Sequence, residues 1–245
     1  MAQRAFDKAA ESYDDFAAVQ RKISYKLCSM ISNERNDPVL DIGCGTGYVF
    51  NNLSSGPFGL QLDLAFKMCR LASRNNSAAT IAANAENLPI MDDYFGLITS
   101  SMALQWVPDL SRAFREMHRV LRSGGLVYIS IPLPGTFVEL DKAFHSITGG
   151  RHVHDFASET EVKMLISAAG FAEINIEQER ITEIYPNFST LLQTIKKTGT
   201  GFKSYSKLFT LKTLKKIESL YAEKYRATDG IKLSWIIAYI AARKM

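Results

Sequence analysis

Two carboxylates and three glycines stand where they could hold a cation. Asp41 lies in a short apolar run, Val39-Leu40-Asp41-Ile42, which leads into Gly43-Cys44-Gly45-Thr46-Gly47. Glycines at such a turn allow a sharp bend and let a ligand approach the backbone with no Cβ in the way. The spacing is GxGxG, not the GxGxxG of a dinucleotide fingerprint, and no Gly-Lys-Ser/Thr follows to cradle phosphate. An acid two residues before the first glycine would repel a pyrophosphate, but it suits a ligand carrying an ammonium and a sulfonium. Asp63 ends the next apolar run, placed to accept from both hydroxyls of a ribose. The competing reading makes Asp41 a tie for the loop backbone and Asp63 a cap for the helix starting near Leu64. Agreement of residue type and position at both sites favours the cationic ligand.

Holding these groups takes a sheet. Short apolar runs at 39–42, 58–63, 80–83, 95–100, 126–131, 173–182 and 234–241 predict seven strands, alternating with helical periodicities. The pattern is that of an α/β, doubly wound, Rossmann-like sheet with helices on both faces. A helix over 109–122 places Leu110, Ala113, Phe114, Met117, Val120 and Leu121 on one face and stops at Gly124-Gly125. Another opens on the capping box Ser158-Glu159-Thr160-Glu161 and closes before Gly170. A single domain over 1–245 is expected: a helical lid at 3–32, a core at 38–186 and 233–245, and a helical cap at 187–227. In the lid, Phe6, Ala9, Ala10, Tyr13, Phe16, Ala17 and Ile23 recur at helical spacing. In the cap, Leu208, Leu211, Leu214, Ile217 and Tyr221 form one stripe, with Lys212, Lys215 and Lys216 on the other face.

The bulk properties narrow the class. With 47% hydrophobic residues and mixed charge, the chain is expected to be globular. Its longest apolar stretch, 233–242, falls far short of the ~20 residues that span a bilayer, and no signal-peptide core opens it. Cytoplasmic residence without membrane attachment is the resulting expectation. Cys28, Cys44 and Cys69 share no metal-ligand spacing and are odd in number, so reduced structural thiols and no metal are expected. A net charge of +4 does not by itself call for nucleic acid, but its distribution is uneven. From Ile184 to Ile217 there is no acid and there are seven lysines: Lys196, Lys197, Lys203, Lys207, Lys212, Lys215 and Lys216.

The run Val39–Tyr48 resembles motif I of the class I S-adenosylmethionine-dependent methyltransferases, and the likeness extends over roughly 5–175. Asn84-Ala85-Glu86-Asn87-Leu88-Pro89 resembles the Asp-Ala-Glu-x-Leu-Pro segment after the family's third strand. There the first residue takes the adenine amine and the alanine offers its backbone amide to the ring. Asn84 departs from the pattern, yet its carbonyl oxygen can still accept from an amine. The resemblance implies S-adenosylmethionine, with S-adenosylhomocysteine as product, held by Asp41, Gly43, Cys44, Gly45, Gly47, Asp63, Leu64, Asn84, Ala85, Glu86 and Ser100. No Asn/Asp-Pro-Pro-Tyr/Phe follows the fourth strand, where Ser100-Ser101-Met102-Ala103 stands, so nucleic acid is not the expected substrate.

Two further segments narrow the resemblance. Phe6-Asp7-Lys8-Ala9-Ala10-Glu11-Ser12-Tyr13-Asp14 with Gln20-Arg21, then Ala103-Leu104-Gln105-Trp106-Val107-Pro108-Asp109-Leu110 and His154-Asp155-Phe156, resemble the malonyl-[acyl-carrier protein] O-methyltransferases of biotin synthesis. Trans-aconitate methyltransferases share a similar Gln-Trp-Val-Pro-Asp run, so a free small carboxylate is the alternative substrate. A non-catalytic cofactor-binding assembly factor is the alternative class. Both enzyme readings methylate a carboxylate, which is ionised at neutral pH and needs no general base. Positioning candidates are Tyr13, Gln105 and Trp106. Substrate candidates are those three with Arg21, Arg151 and His154, and His152 beside them. For the histidines a packing or surface role is the competing reading, for Tyr13 packing within the lid, and for Trp106 packing in the core. The resemblance implies an acyl-carrier protein bearing a malonyl thioester as partner. Such a carrier presents an acidic helix, which Lys212, Lys215 and Lys216 would complement; a solvated helix face is the competing reading.

Overall fold

The computed structural model describes residues 2–31, 37–53, 58–199 and 209–245. Strands β1 (Val39–Ile42), β2 (Gly59–Asp63), β3 (Ala79–Ala82), β4 (Phe95–Ser101), β5 (Leu121–Pro132), β6 (Phe171–Tyr185), β7 (Arg226–Ala227) and β8 (Gly230–Lys244) form one sheet. Its order is β3-β2-β1-β4-β5-β8-β6, with the short β7 folded back on β8. The first five strands pair in parallel, and β8 enters antiparallel to both β5 and β6. The seven expected strands are all present, and β7 adds a brief eighth. The last two long strands extend beyond their apolar stretches because they pair along almost their whole length, from Phe171–Lys244 to Tyr185–Ile231.

The sheet is covered on both faces, as alternation along β8 records. Ala238, Ile240 and Ala242 join a cluster with Leu40, Ile98, Phe114, Met117 and Ile129. Leu233, Trp235, Ile237 and Tyr239 join another with Ile23, Leu27, Phe137, Phe144, Leu191 and Tyr221. Successive side chains point to opposite faces, so a strand that is apolar at nearly every position must be covered twice.

Helices α1 (Ala2–Ala9), α2 (Tyr13–Phe16) and α3 (Ala18–Ser29) fill the span expected to form a lid, with a 3-10 turn at Ala10–Ser12. Helix α4 (Tyr48–Asn52) follows the glycine loop, and α5 (Phe66–Asn75) follows β2. Helix α6 (Leu110–Val120) buries Ala113, Phe114, Met117 and Val120, and its Asp109 cap accepts from the Arg112 N–H at 2.9 Å. It stops at Val120 rather than at Gly124-Gly125, because Leu121 already pairs with Phe95 in the sheet. Helices α7 (Val138–Thr148) and α8 (Glu159–Ala168) come next, and the Ser158 hydroxyl caps α8 on the Glu161 N–H at 3.2 Å.

The cap contributes α9 (Phe188–Lys197) and α10 (Leu211–Lys224). Asn187 and Thr210 cap them through the Thr190 and Thr213 N–H groups. Of the expected cap stripe, Ile217 and Tyr221 are buried and Leu214 packs against them, but Leu211 is 80% exposed. Periodicity sets a side chain's direction, and burial also needs a neighbour at that height; the first residue of α10 has none that covers it. Lys203, Lys207 and Leu208 lie outside the described residues. Among the described residues, no helix is long and apolar enough to cross a membrane.

Candidate active site

The parallel strands deliver their C-terminal ends to one edge, where β1, β2 and β4 meet the lid. A cleft of about 1030 Å³, counting its open mouth, lies there. Its floor is the turn after β1. Gly43 and Gly47 hold φ of +74° and +92°, in the left-handed region that L side chains rarely adopt. Gly43 also has no room: a Cβ there would stand 2.1 Å from the Cβ of Ala103, which follows β4. Gly43, Cys44 and Gly45 line the cleft, while Gly47 lies behind it, against Asn76 and Gln61.

Asp41 is wholly buried at the cleft floor. Its Oδ1 accepts from the Thr99 hydroxyl at 2.8 Å, and its Oδ2 is buried with no partner. Burial pushes its carboxyl up to about 7, the Thr99 hydrogen bond opposing and the nearby Asp63 charge adding to the rise. An unpaired buried carboxylate oxygen is costly, and a cationic ligand would relieve that cost. Asp63 is less orphaned. Its Oδ1 accepts from the Ala65 N–H at 2.7 Å and its Oδ2 from the Gly45 N–H at 3.0 Å. It therefore ties loop to helix and also fronts the cleft with lone pairs to spare. Burial raises its pKa too, partly offset by these amide donors.

The other candidate cofactor residues divide. Leu64 and Ala85 line the cleft beside Met68. Asn84 lies outside the lining and turns back on its own loop, its Oδ1 accepting from the Glu86 N–H at 3.0 Å. Glu86 reaches the Asp109 N–H at 3.1 Å and so braces the start of α6. Ser100 is fully buried and donates to the Ile42 carbonyl at 2.8 Å, so the next residue, Ser101, fronts the cleft in its place.

The lid closes the other side. Phe6, Tyr13, Gln20 and Ser24 line the cleft from α1, α2 and α3. Asp14 latches α2 to the floor, its Oδ1 accepting from the Thr46 hydroxyl at 2.8 Å and the Tyr48 hydroxyl at 2.6 Å. Asp7 accepts from the Lys67 N–H at 2.9 Å and pins α1 to the start of α5. Trp106 lines the cleft, with Phe6 at 5.8 Å and His154 at 5.1 Å between ring centroids. His154 in turn bonds the Gln105 carbonyl at 3.0 Å, so it buttresses Trp106 from outside the lining. Gln105 also lies outside, its amide donating to the Met102 carbonyl at 2.8 Å.

Arg21 stands at the rim, 3.1 Å from the Tyr48 hydroxyl. Arg151 is elsewhere, paired with Asp155 at 2.9 Å and near Asp141 at 3.6 Å. His152 packs with Thr148 and Phe209 away from the cleft. Among the described residues that line the cleft, the charged ones are Asp41 and Asp63, and no Lys, Arg or His is with them. Gln3, Gln20, Ser24, Thr46, Tyr48 and Ser101 line the cleft with polar side chains that motif reading did not assign to the site. Gln20 carried a signal as neighbour of Arg21, and Thr46 and Tyr48 by lying in the Val39–Tyr48 run.

Comparison with known proteins agrees with this fold. A methyltransferase-domain family model matches residues 40–129, from β1 into β5. The YcgJ protein from Bacillus subtilis shares the fold, with a TM-score of 0.66 at 20% identity over 90% of this chain and 97% of its own. A malonyl-[acyl-carrier protein] O-methyltransferase of Dechloromonas aromatica is 35% identical across 99% of this chain and 93% of its own length. Its counterpart from Geobacter sulfurreducens is 32% identical across 97% and 96%. The sheet order and the matched domain are those of a class I methyltransferase. Within that class, the chain belongs to the malonyl-[acyl-carrier protein] O-methyltransferase family.

Proposed function

We propose that this O-methyltransferase converts the free carboxylate of malonyl-acyl-carrier protein to its methyl ester, at the start of biotin synthesis, in the cytoplasm. The observation that carries the cofactor half is the cleft's charge: two buried acids, one with an orphaned oxygen, and no cation among the described lining residues. That set fits S-adenosylmethionine, which carries an ammonium and a sulfonium. Asp41 would face the ammonium, Asp63 the ribose, and Leu64, Met68 and Ala85 the adenine. When bound, the cofactor supplies an electrophilic methyl group.

The chain's own work is positioning. A carboxylate of pKa about 4 is ionised without help, so no residue need act as base. A negative oxygen and a positive sulfonium become neutral ester and neutral thioether, and a water-poor cleft favours that loss of charge. Phe6, Tyr13 and Trp106 supply apolar walls that exclude water. Tyr13 stays a neutral phenol because burial, with Tyr48 and the acids around it, holds its pKa far above the ordinary value.

The substrate half rests on family membership. The basic cap adds to it: Lys212, Lys215 and Lys216 are exposed along α10 and line a shallow groove with Ile147, Ser219, Leu220 and the acid Glu223. An acidic carrier-protein helix would complement this face and be steered to it. Lys197 of α9 bridges from cap to lid, near the Ser12 hydroxyl at 3.4 Å and the Phe16 ring at 6.0 Å. The test is kcat/KM for methyl transfer from S-adenosylmethionine to malonyl-carrier protein, malonyl-coenzyme A and free dicarboxylates. The carrier-bound substrate should rank first; a free acid ranking first would move the assignment to a small-carboxylate methyltransferase.

A further inference from the structure

Helix α3 turns two polar side chains into the cleft, and the established chemistry leaves both unused. Ser24 is 2% exposed and its hydroxyl is buried without a hydrogen-bond partner. Gln20, one turn earlier on the same helix face, is 5% exposed. Its side chain makes no hydrogen bond among the described residues. Both line the cleft. Cys28, one turn further on, donates its thiol to the Val49 carbonyl at 3.7 Å, and the Ser24 hydroxyl lies near enough to that sulfur to offset part of the rise that burial gives the thiol pKa.

A buried hydroxyl without a partner is expensive, and so is an idle amide beside it. We propose that Gln20 and Ser24 form a carboxylate-binding subsite built of neutral donors. The inference rests on the methyltransferase reading, in which every ligand of the cleft brings a carboxylate: one on the amino-acid end of the cofactor, one on the substrate. Asp41 and Asp63 repel such a group, and no cation lines the cleft to receive it. Ser24 and Gln20 present a hydroxyl and an amide to the cleft from one face of α3, beside the Tyr13 hydroxyl and the Trp106 indole N–H. Their neutrality has a consequence for an attacking oxygen. A guanidinium would draw charge out of the nucleophile, whereas a hydroxyl and an amide orient it and leave most of that charge in place.

The test uses the full chain with Gln20→Leu, Ser24→Ala and Gln20→Glu. Calorimetry reads the Kd of S-adenosylmethionine and of its decarboxylated analogue; steady-state kinetics read KM and kcat on malonyl-carrier protein. If the cofactor's carboxylate occupies the subsite, Q20L and S24A each weaken S-adenosylmethionine about tenfold and leave the decarboxylated analogue unchanged. If the substrate's carboxylate occupies it, the cofactor Kd holds and KM for the carrier-bound substrate rises by a similar factor. In either case Q20E loses more than Q20L near neutral pH, and its affinity relative to wild type recovers as the pH falls and the new carboxyl is protonated. A structural role alone would not give that recovery. Folded variants with cofactor Kd and substrate KM both at wild-type values overturn the subsite, as does equal loss for intact and decarboxylated cofactor with KM unchanged. Failure of the wild-type enzyme on malonyl-carrier protein would sink the functional reading instead, and the calorimetric arm would still decide the subsite.

Discussion

Asp41 is held in a state that a cationic ligand would relieve. Burial in β1 carries its carboxyl up to about 7, so in the open cleft it is partly protonated at neutral pH. A cation against Oδ2 favours the charged form, so cofactor affinity should rise with pH and level off above about 7, by up to about tenfold per unit below that. Calorimetric titration across pH about 6 to 8 checks this, and a flat profile would contradict it. The linkage to stability has the opposite sign. A carboxyl whose folded pKa is raised stabilises the protein when protonated, and that advantage fades as pH climbs from about 4 to about 7. Asp41→Asn should therefore bind cofactor at least about tenfold more weakly, yet raise the melting temperature of the unliganded protein at alkaline pH. Gly43 supplies a steric test at the same scale. Gly43→Ala drives a Cβ into Ala103, while Gly45→Ala meets nothing within 4 Å and bears backbone strain alone. Denaturant titration should show Gly43→Ala at least about 1 kcal/mol the more destabilised of the two.

The elements bring these residues together, and here the reach of sequence patterns is uneven. Asp41, Gly43 and Asp63 were legible because each sits at the C-terminal end of a buried strand, where local spacing and site geometry coincide. Ser100 and Ser101 show the limit, since a shift of one residue on a strand exchanges its faces. Thr46, Tyr48 and Ser24 depend on how the lid lies over the loop, which no local period encodes. Arg151 drew attention through its charge, but that charge is spent on Asp141 and Asp155. Helical spacing in 3–32 foretold helices without foretelling the breaks at Ala10–Ser12 and Ala17. Those breaks let Asp14 face the loop. Losing its bonds to Thr46 and Tyr48 should loosen the closed lid. Asp14→Ala is expected to speed cofactor release about tenfold in stopped-flow measurements, with a melting temperature close to wild type; an unchanged rate would remove the latch from the account.

At the scale of the whole molecule, the proposed function assigns the acidic cleft to a cationic small molecule and the lysine face of α10 to an acidic protein. Reversing Lys212, Lys215 and Lys216 to glutamate should lower kcat/KM on the carrier-bound substrate at low salt, with the difference shrinking as salt rises. The same variant should treat malonyl-coenzyme A as the wild type does. Equal kinetics on the carrier at low salt would show that the face does not dock it. The central claim is the identity of the bond made, and intact-mass spectrometry of malonyl-carrier protein after incubation with enzyme and S-adenosylmethionine tests it most directly. The account predicts the added mass of one methyl on the malonyl group, removed by mild base as a carboxyl ester is. A carrier of unchanged mass, with cofactor bound and unconsumed, would contradict it.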